Sequence, residues 1–100
     1  MNSKNTMKIL RRAIEKYGEP TQIIVAIEEC AELQKELTKA LRGKLDAEHL
    51  AEEIADVQII LWQLCCMFSI GGQTPKWIEK KVERLNERME AAETGGERHD

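Results

Sequence analysis

The stretch EECAELQKELTKALRGKLDAEHLAEEIAD, residues 28–56, determines the fold class of this chain. It holds one glycine, Gly43, and no proline, and apolar residues recur at steps of three and four on both sides of that glycine. Such steps place side chains on one face of an α-helix, and glycine is favoured just past a helix end. The stretch therefore predicts two helices that run antiparallel as a hairpin around a short turn.

The same rhythm predicts which residues face each other across the hairpin. We call each such set an interface row. The row predicted on the helix before Gly43 is Ala26, Cys30, Leu33, Leu37 and Ala40. The row predicted on the helix after it is Leu50, Ile54, Val57, Leu61, Leu64 and Phe68.

Glycine and proline divide the rest of the chain into further helical segments, with no alternating strand pattern. The predicted helices cover about residues 4–17, 21–42, 46–70 and 74–92. Asp46 is the expected N-cap of the third, and Pro75 suits the first turn of the fourth. The fold class is all-α, a four-helix bundle in a single domain over residues 1–93, and the polar residues 94–100 are expected to be a disordered tail.

Composition excludes several classes of protein. The chain carries 15 Lys and Arg against 18 Asp and Glu, so duplex nucleic acid is not an expected partner. Neither a signal peptide nor a run of roughly 18 apolar residues is present, which predicts a cytoplasmic protein without a membrane partner. The three cysteines, Cys30, Cys65 and Cys66, lack C-x-x-C spacing and are predicted to be reduced core residues.

Two acidic segments carry the predicted chemistry: Glu28-Glu29-x-x-Glu32 and Glu52-Glu53-x-x-Asp56. Glu29 and Glu32 lie 14 and 11 residues before Gly43, and Glu53 and Asp56 lie 10 and 13 after it. At 1.5 Å rise per residue, both pairs lie on the order of 15–20 Å from the turn. The two segments are therefore level across the hairpin.

Helical angles agree with this placement, because the first and second carboxylate of each pair are offset by roughly 60° and 120° from the interface row. Four clustered carboxylates would repel one another. A hard divalent cation removes that repulsion, and we expect Mg²⁺, with Mn²⁺ as a possible substitute. The predicted metal ligands are Glu29, Glu32, Glu53 and Asp56, with a polyphosphate as substrate. The competing interpretation is an acidic flank that only solvates the helices.

A basic row, Lys81, Arg84 and Arg88, follows one flank of the last predicted helix. Such a row is suited to binding the phosphates of a substrate. It is equally typical of a solvated flank, since glutamates lie among these residues and allow local ion pairs.

The acidic segments resemble those of the MazG-like nucleoside triphosphate pyrophosphohydrolases, in the all-α NTP pyrophosphatase superfamily. Residues 28–33, EECAEL, and 53–57, EIADV, match the E-E-x-x-E and E-x-x-D segments of that family, and the resemblance covers about residues 21–88. It implies dimers or tetramers, Mg²⁺ on the four acidic positions, and attack of water between the α and β phosphates. A nucleoside monophosphate and pyrophosphate would be the products, in a house-cleaning role in the nucleotide pool.

The resemblance also assigns roles outside the metal ligands. Lys81 and Arg88 match a lysine and an arginine that contact phosphates, whereas Leu85 stands where the family has asparagine, with Asn86 one residue later. Glu28 matches a position that is not always acidic. In the hypothesis, Glu32 or Glu53 accepts a proton from the attacking water, and Lys81 and Arg88 stabilise the leaving pyrophosphate. His49 is predicted to face solvent.

Two alternative hypotheses about the function remain. One is a non-enzymatic, self-associating helical interaction module with an acidic flank. The other, a di-iron carboxylate bundle, is disfavoured because neither acidic segment contains Glu-x-x-His. In every case a homo-oligomer is expected, because a short chain buries little surface alone and the third predicted helix is apolar nearly all round, at Ile59, Ile60, Trp62, Cys66 and Met67.

Overall fold

The computed structural model of the chain describes residues 3–95. Within that range it contains four helices and no strand: α1 (Ser3–Tyr17), α2 (Glu19–Leu41), α3 (Ala47–Met67) and α4 (Thr74–Gly95). The all-α prediction is confirmed. None of the described helices combines the length and apolar character that crossing a membrane requires.

The turn between α2 and α3 forms as its sequence predicts. Gly43 takes a left-handed φ of 74°, and its N–H donates to Ala40 O at 3.0 Å while the Lys44 N–H donates to Lys39 O at 2.9 Å. This pair of bonds is a Schellman motif, which satisfies the last carbonyls of α2. The carboxylate of Asp46 then accepts the His49 N–H at 3.1 Å, which confirms the predicted N-cap.

The outer helix ends differ from the prediction. α3 ends at Met67 rather than Ile70 because Ser69 takes φ 55°, a left-handed conformation that a right-handed helix cannot continue through. α4 runs past Ala92 to Gly95, so the first residues of the predicted tail are helical. Residues 96–100 of that tail lie outside the described residues.

The chain divides into two compact units, Met1–Ser69 and Ile70–Asp100. In the first unit α2 packs along α3, and α1 contacts both of them. The second unit contains α4. The single domain expected over residues 1–93 stays a prediction.

The predicted interface rows of α2 and α3 are confirmed only in part. Ala26 is buried and five other row residues are half-buried, whereas five are exposed: Cys30, Leu37, Ile54, Leu61 and Phe68. The residues that are buried instead include four polar ones: Gln22, Glu36, Glu53 and Gln63. Each helix is therefore rotated so that acidic and amide side chains enter the interface. The cysteine prediction fails at Cys30 for this reason, whereas Cys65 and Cys66 are half-buried.

A buried pair of amides joins the three helices of the first unit. The Gln22 Nε2 group donates to Gln63 Oε1 at 3.0 Å, and the Gln63 Nε2 group donates to Leu10 O at 3.0 Å. Gln63 follows Asp56 by seven residues, which is nearly two helical turns along the same face of α3. These bonds therefore set the rotation of α3 that brings its acidic residues towards α2.

Candidate metal centre

Three carboxylates meet across the α2–α3 hairpin. Glu29 comes from α2, and Glu53 and Asp56 come from one face of α3, three residues apart. One oxygen of each residue lies within 4.8 Å of the others. Because Mg²⁺ and Ca²⁺ bind oxygens at about 2.0–2.6 Å, ligand atoms of one ion lie within roughly 5 Å of each other. The cluster therefore has dimensions that one divalent cation can span.

Glu53 provides the observation that points most directly to a cation. The residue is only 7% exposed, and its Oε2 atom is buried with no hydrogen-bond partner among the described residues. A buried, unpaired carboxylate oxygen costs several kcal/mol, so such atoms normally have a partner. A cation between the three carboxylates would supply that partner.

The electrostatics of Glu29 agree with a crowded acidic site. Partial burial raises the pKa of Glu29 above 4.5, and the neighbouring negative charge of Asp56, a hydrogen bond shared with Asp56, and the charges of Glu53 and Glu32 raise it further. Like charges that share one site disfavour ionisation of each other. The metal-free site therefore binds a proton more tightly than isolated carboxylates do, and a divalent cation would take the place of that proton.

The structure brings together three of the four predicted metal ligands. Glu32 is exposed and lies outside the cluster, although its charge contributes to the raised pKa of Glu29. Glu29 itself faces α3, and a side chain three residues later is turned about 60° away from that direction. The prediction placed the interface row at Cys30 and so did not anticipate this difference.

The predicted phosphate-binding residues lie in the second unit. Lys81, Arg84 and Arg88 all belong to α4 and are exposed. The Lys81 Nζ atom lies 6.0 Å from the centroid of the Trp77 ring, a cation–π contact. Their binding to phosphate stays a prediction.

Two residues beside the cluster were not identified as site residues from the sequence. Glu36 is 3% exposed, and its Oε2 atom lies 3.3 Å from His49 Nδ1. The other ring nitrogen of His49, Nε2, lies 3.3 Å from Glu53 Oε1. The His49 side chain stays 41% exposed, as predicted in part, but its ring lies between two carboxylates, which the prediction did not anticipate. The spacing held a signal, because Glu36 is seven residues after Glu29 and His49 four before Glu53.

Comparisons with known proteins do not identify a relative. No family model matches this chain, and neither the curated proteins nor the solved structures contain a match. The assignment of function therefore depends on the geometry of the α2–α3 hairpin.

The raised pKa of Glu29 predicts how the stability of the metal-free protein changes with pH. A carboxyl whose pKa is higher in the folded state contributes stability that is fully present below the unfolded value, near 4.5, and is lost as the pH rises through the folded value. The contribution of Glu29 to the free energy of unfolding should therefore fall from pH 4.5 upwards.

Urea unfolding in EDTA, measured between pH 4 and 7, tests this expectation. Glu29→Gln should flatten the fall in stability with rising pH, whereas Glu28→Gln, at the exposed neighbouring position, should leave it unchanged. Equal pH dependence in the parent and in Glu29→Gln would contradict the account of the acidic site.

Proposed function

We propose that this chain is a Mg²⁺-dependent nucleoside triphosphate pyrophosphohydrolase of the MazG-like type. The Oε2 atom of Glu53 carries this proposal, because it is buried without a hydrogen-bond partner in the described part of the chain and belongs to a residue in a cluster of three carboxylates from two helices. Oxygen-only ligands favour Mg²⁺ or Mn²⁺ over softer metals, and Mg²⁺ in proteins is commonly shared with substrate phosphates.

In this proposal Glu29, Glu53 and Asp56 hold the metal. When bound, Mg²⁺ would neutralise charge on the triphosphate and so favour attack by water. Of the two carboxylates predicted to accept the proton of the attacking water, Glu53 belongs to the cluster and Glu32 is exposed outside it, so we assign this role to Glu32. The family resemblance assigns phosphate binding to Lys81 and Arg88, and the basic row of the sequence adds Arg84.

The proposal includes a homo-oligomer, either a dimer or a tetramer. Within the first unit, large apolar side chains are exposed on both helices of the hairpin, including Ile24, Ile27, Ile59 and Leu61. Large apolar side chains exposed together on neighbouring helices are typical of subunit interfaces. A twofold contact between copies of this chain is the simplest way to cover it.

A panel of ribo- and deoxynucleoside triphosphates, assayed separately for pyrophosphate and orthophosphate, tests the activity. We expect pyrophosphate and the nucleoside monophosphate in equal amounts, with Mg²⁺ required, Mn²⁺ able to replace it, and EDTA abolishing turnover. Release of orthophosphate alone, or no hydrolysis of any nucleotide in the panel, would contradict the proposed reaction.

The exposed apolar side chains also favour the second candidate, a non-enzymatic helical interaction module. Mg²⁺ separates the two functions through linkage, because a ligand at 100 times its Kd adds about 2.7 kcal/mol to the free energy of unfolding. We expect millimolar Mg²⁺ to raise the Tm, measured against NaCl of matched ionic strength. An unchanged Tm with saturating Mg²⁺ would favour the interaction module.

A further inference from the structure

A chain of polar contacts leads from the surface of α2 to the cluster of three carboxylates. The Lys39 Nζ atom lies 3.3 Å from both carboxylate oxygens of Glu36. Glu36 in turn lies 3.3 Å from His49 Nδ1, and His49 Nε2 lies 3.3 Å from Glu53 Oε1. The imidazole therefore connects a buried carboxylate of α2 to one of the three clustered carboxylates on the opposite helix.

The two oxygens of Glu53 have different surroundings. Oε1 contacts the imidazole of His49, whereas Oε2 is buried and lacks a hydrogen-bond partner within residues 3–95. A glutamate side chain has three rotatable bonds, so an unrestrained carboxylate must lose rotamer freedom before it can bind a cation. Contact at Oε1 removes part of that freedom in advance and leaves Oε2 available.

We propose that His49 is a positioning residue for the metal centre: held from α2 by Glu36, its Nε2 side orients Glu53 so that Oε2 faces the cation. This inference rests on the proposed function, because it assumes that Glu53 binds a metal. His49 does not contact the metal or the substrate in this arrangement. Its role is comparable to that of groups that hydrogen-bond to ligating carboxylates, whose loss typically lowers metal affinity about 10–100-fold.

Two other roles for His49 make different predictions. In the first, the ring only links α2 to α3 by pairing with buried Glu36, and its contact with Glu53 has no effect on the metal. In the second, His49 is itself a metal ligand. Its Nε2 atom also lies 3.9 Å from Glu52 Oε1, and His49, Glu52 and Glu53 form a second cluster of possible ligand atoms.

Glutamine and asparagine at position 49 separate these roles. The amide nitrogen of glutamine lies close to the position of imidazole Nε2, which faces Glu53, and that of asparagine lies close to Nδ1, which faces Glu36. Mn²⁺ binding to the full chain, measured by titration calorimetry, should weaken about 10–100-fold in His49→Ala and in His49→Asn. His49→Gln should recover most of the parental affinity.

Other orders of affinity would overturn the inference. Parental affinity in His49→Ala would show that Glu53 needs no support, and recovery by asparagine but not glutamine would assign the effect to the contact with Glu36. An equal loss of Mn²⁺ affinity in all three variants would show that the imidazole itself is needed, as expected if His49 is a metal ligand. Urea unfolding in EDTA identifies any variant that fails to fold. If His49→Ala does not fold, the difference in Mn²⁺ affinity between His49→Gln and His49→Asn still tests the inference.

The same titration separates failure of this inference from failure of the proposed function. If the parent protein binds no Mn²⁺, the metal centre itself is wrong, and the inference is overturned with it. If the parent binds Mn²⁺ but releases no pyrophosphate, the activity is wrong while the order of the three variants still tests the role of His49.

Discussion

Replacing Glu53 with glutamine should lower metal-dependent release of pyrophosphate on the order of 10³-fold, because a metal site contributes several kcal/mol of transition-state stabilisation. Glutamine keeps the shape of the side chain but removes the charge that a cation needs. The measurement is the initial rate of pyrophosphate release at saturating nucleotide and Mg²⁺. Asp56→Asn should have an effect of the same order.

Glu52→Gln is the matched control for this prediction. The Glu52 side chain is 72% exposed and lies outside the three-carboxylate cluster, so its neutralisation should leave the rate within a few-fold of the parent. Without metal, Glu53→Gln should be at least as stable as the parent, since it removes a buried charge from a repulsive cluster. Undiminished turnover in Glu53→Gln would show that the metal ligands have been misassigned.

The elements that the sequence predicted well depend on local chemistry. Gly43 supplies the left-handed residue that ends α2, and Asp46 caps α3 through its own side chain, so both helix ends follow from contacts a few residues apart. The distance of the acidic residues from the turn, measured along the helix axes, follows from the position of that turn and from the constant rise of an α-helix. For these reasons the sequence alone places Glu29, Glu53 and Asp56 at one level of the hairpin.

Rotation of the helices was less predictable, because it depends on long-range contacts between polar groups. The prediction assumed that apolar residues would fill the interface, whereas Gln22 and Gln63 pair with each other there and Glu36 enters it with Lys39 and His49 as partners. Polar residues can be buried when each meets a partner, and such pairings between helices cannot be read from periodicity. The rotation that excluded Glu32 and buried Glu36 follows from them.

The second large effect is expected in the core of the first unit. Ile60 is the one large hydrophobic side chain that is fully buried among the described residues, at 2% exposure. Ile60→Ala should therefore lower the free energy of unfolding by about 2–5 kcal/mol, which is the usual cost of removing a buried isoleucine and leaving a cavity. Because small domains have only about 5–15 kcal/mol in total, urea unfolding should show a midpoint far below that of the parent.

Ile59→Ala, the same change one residue earlier, is both the control and a test of assembly. Ile59 is 44% exposed in the single chain, so its truncation in a monomer should cost well under the amount expected for Ile60. A copy of the chain packed against α3 would bury Ile59 as well, and Ile59→Glu would then place an unpaired charge in the interface. In an oligomer, sedimentation should show Ile59→Glu as a smaller species than the parent at the same concentration. If the parent sediments as a monomer at all micromolar concentrations, the apolar side chains of α3 are not covered by a second copy, and the predicted oligomer is wrong whatever the fate of the metal centre.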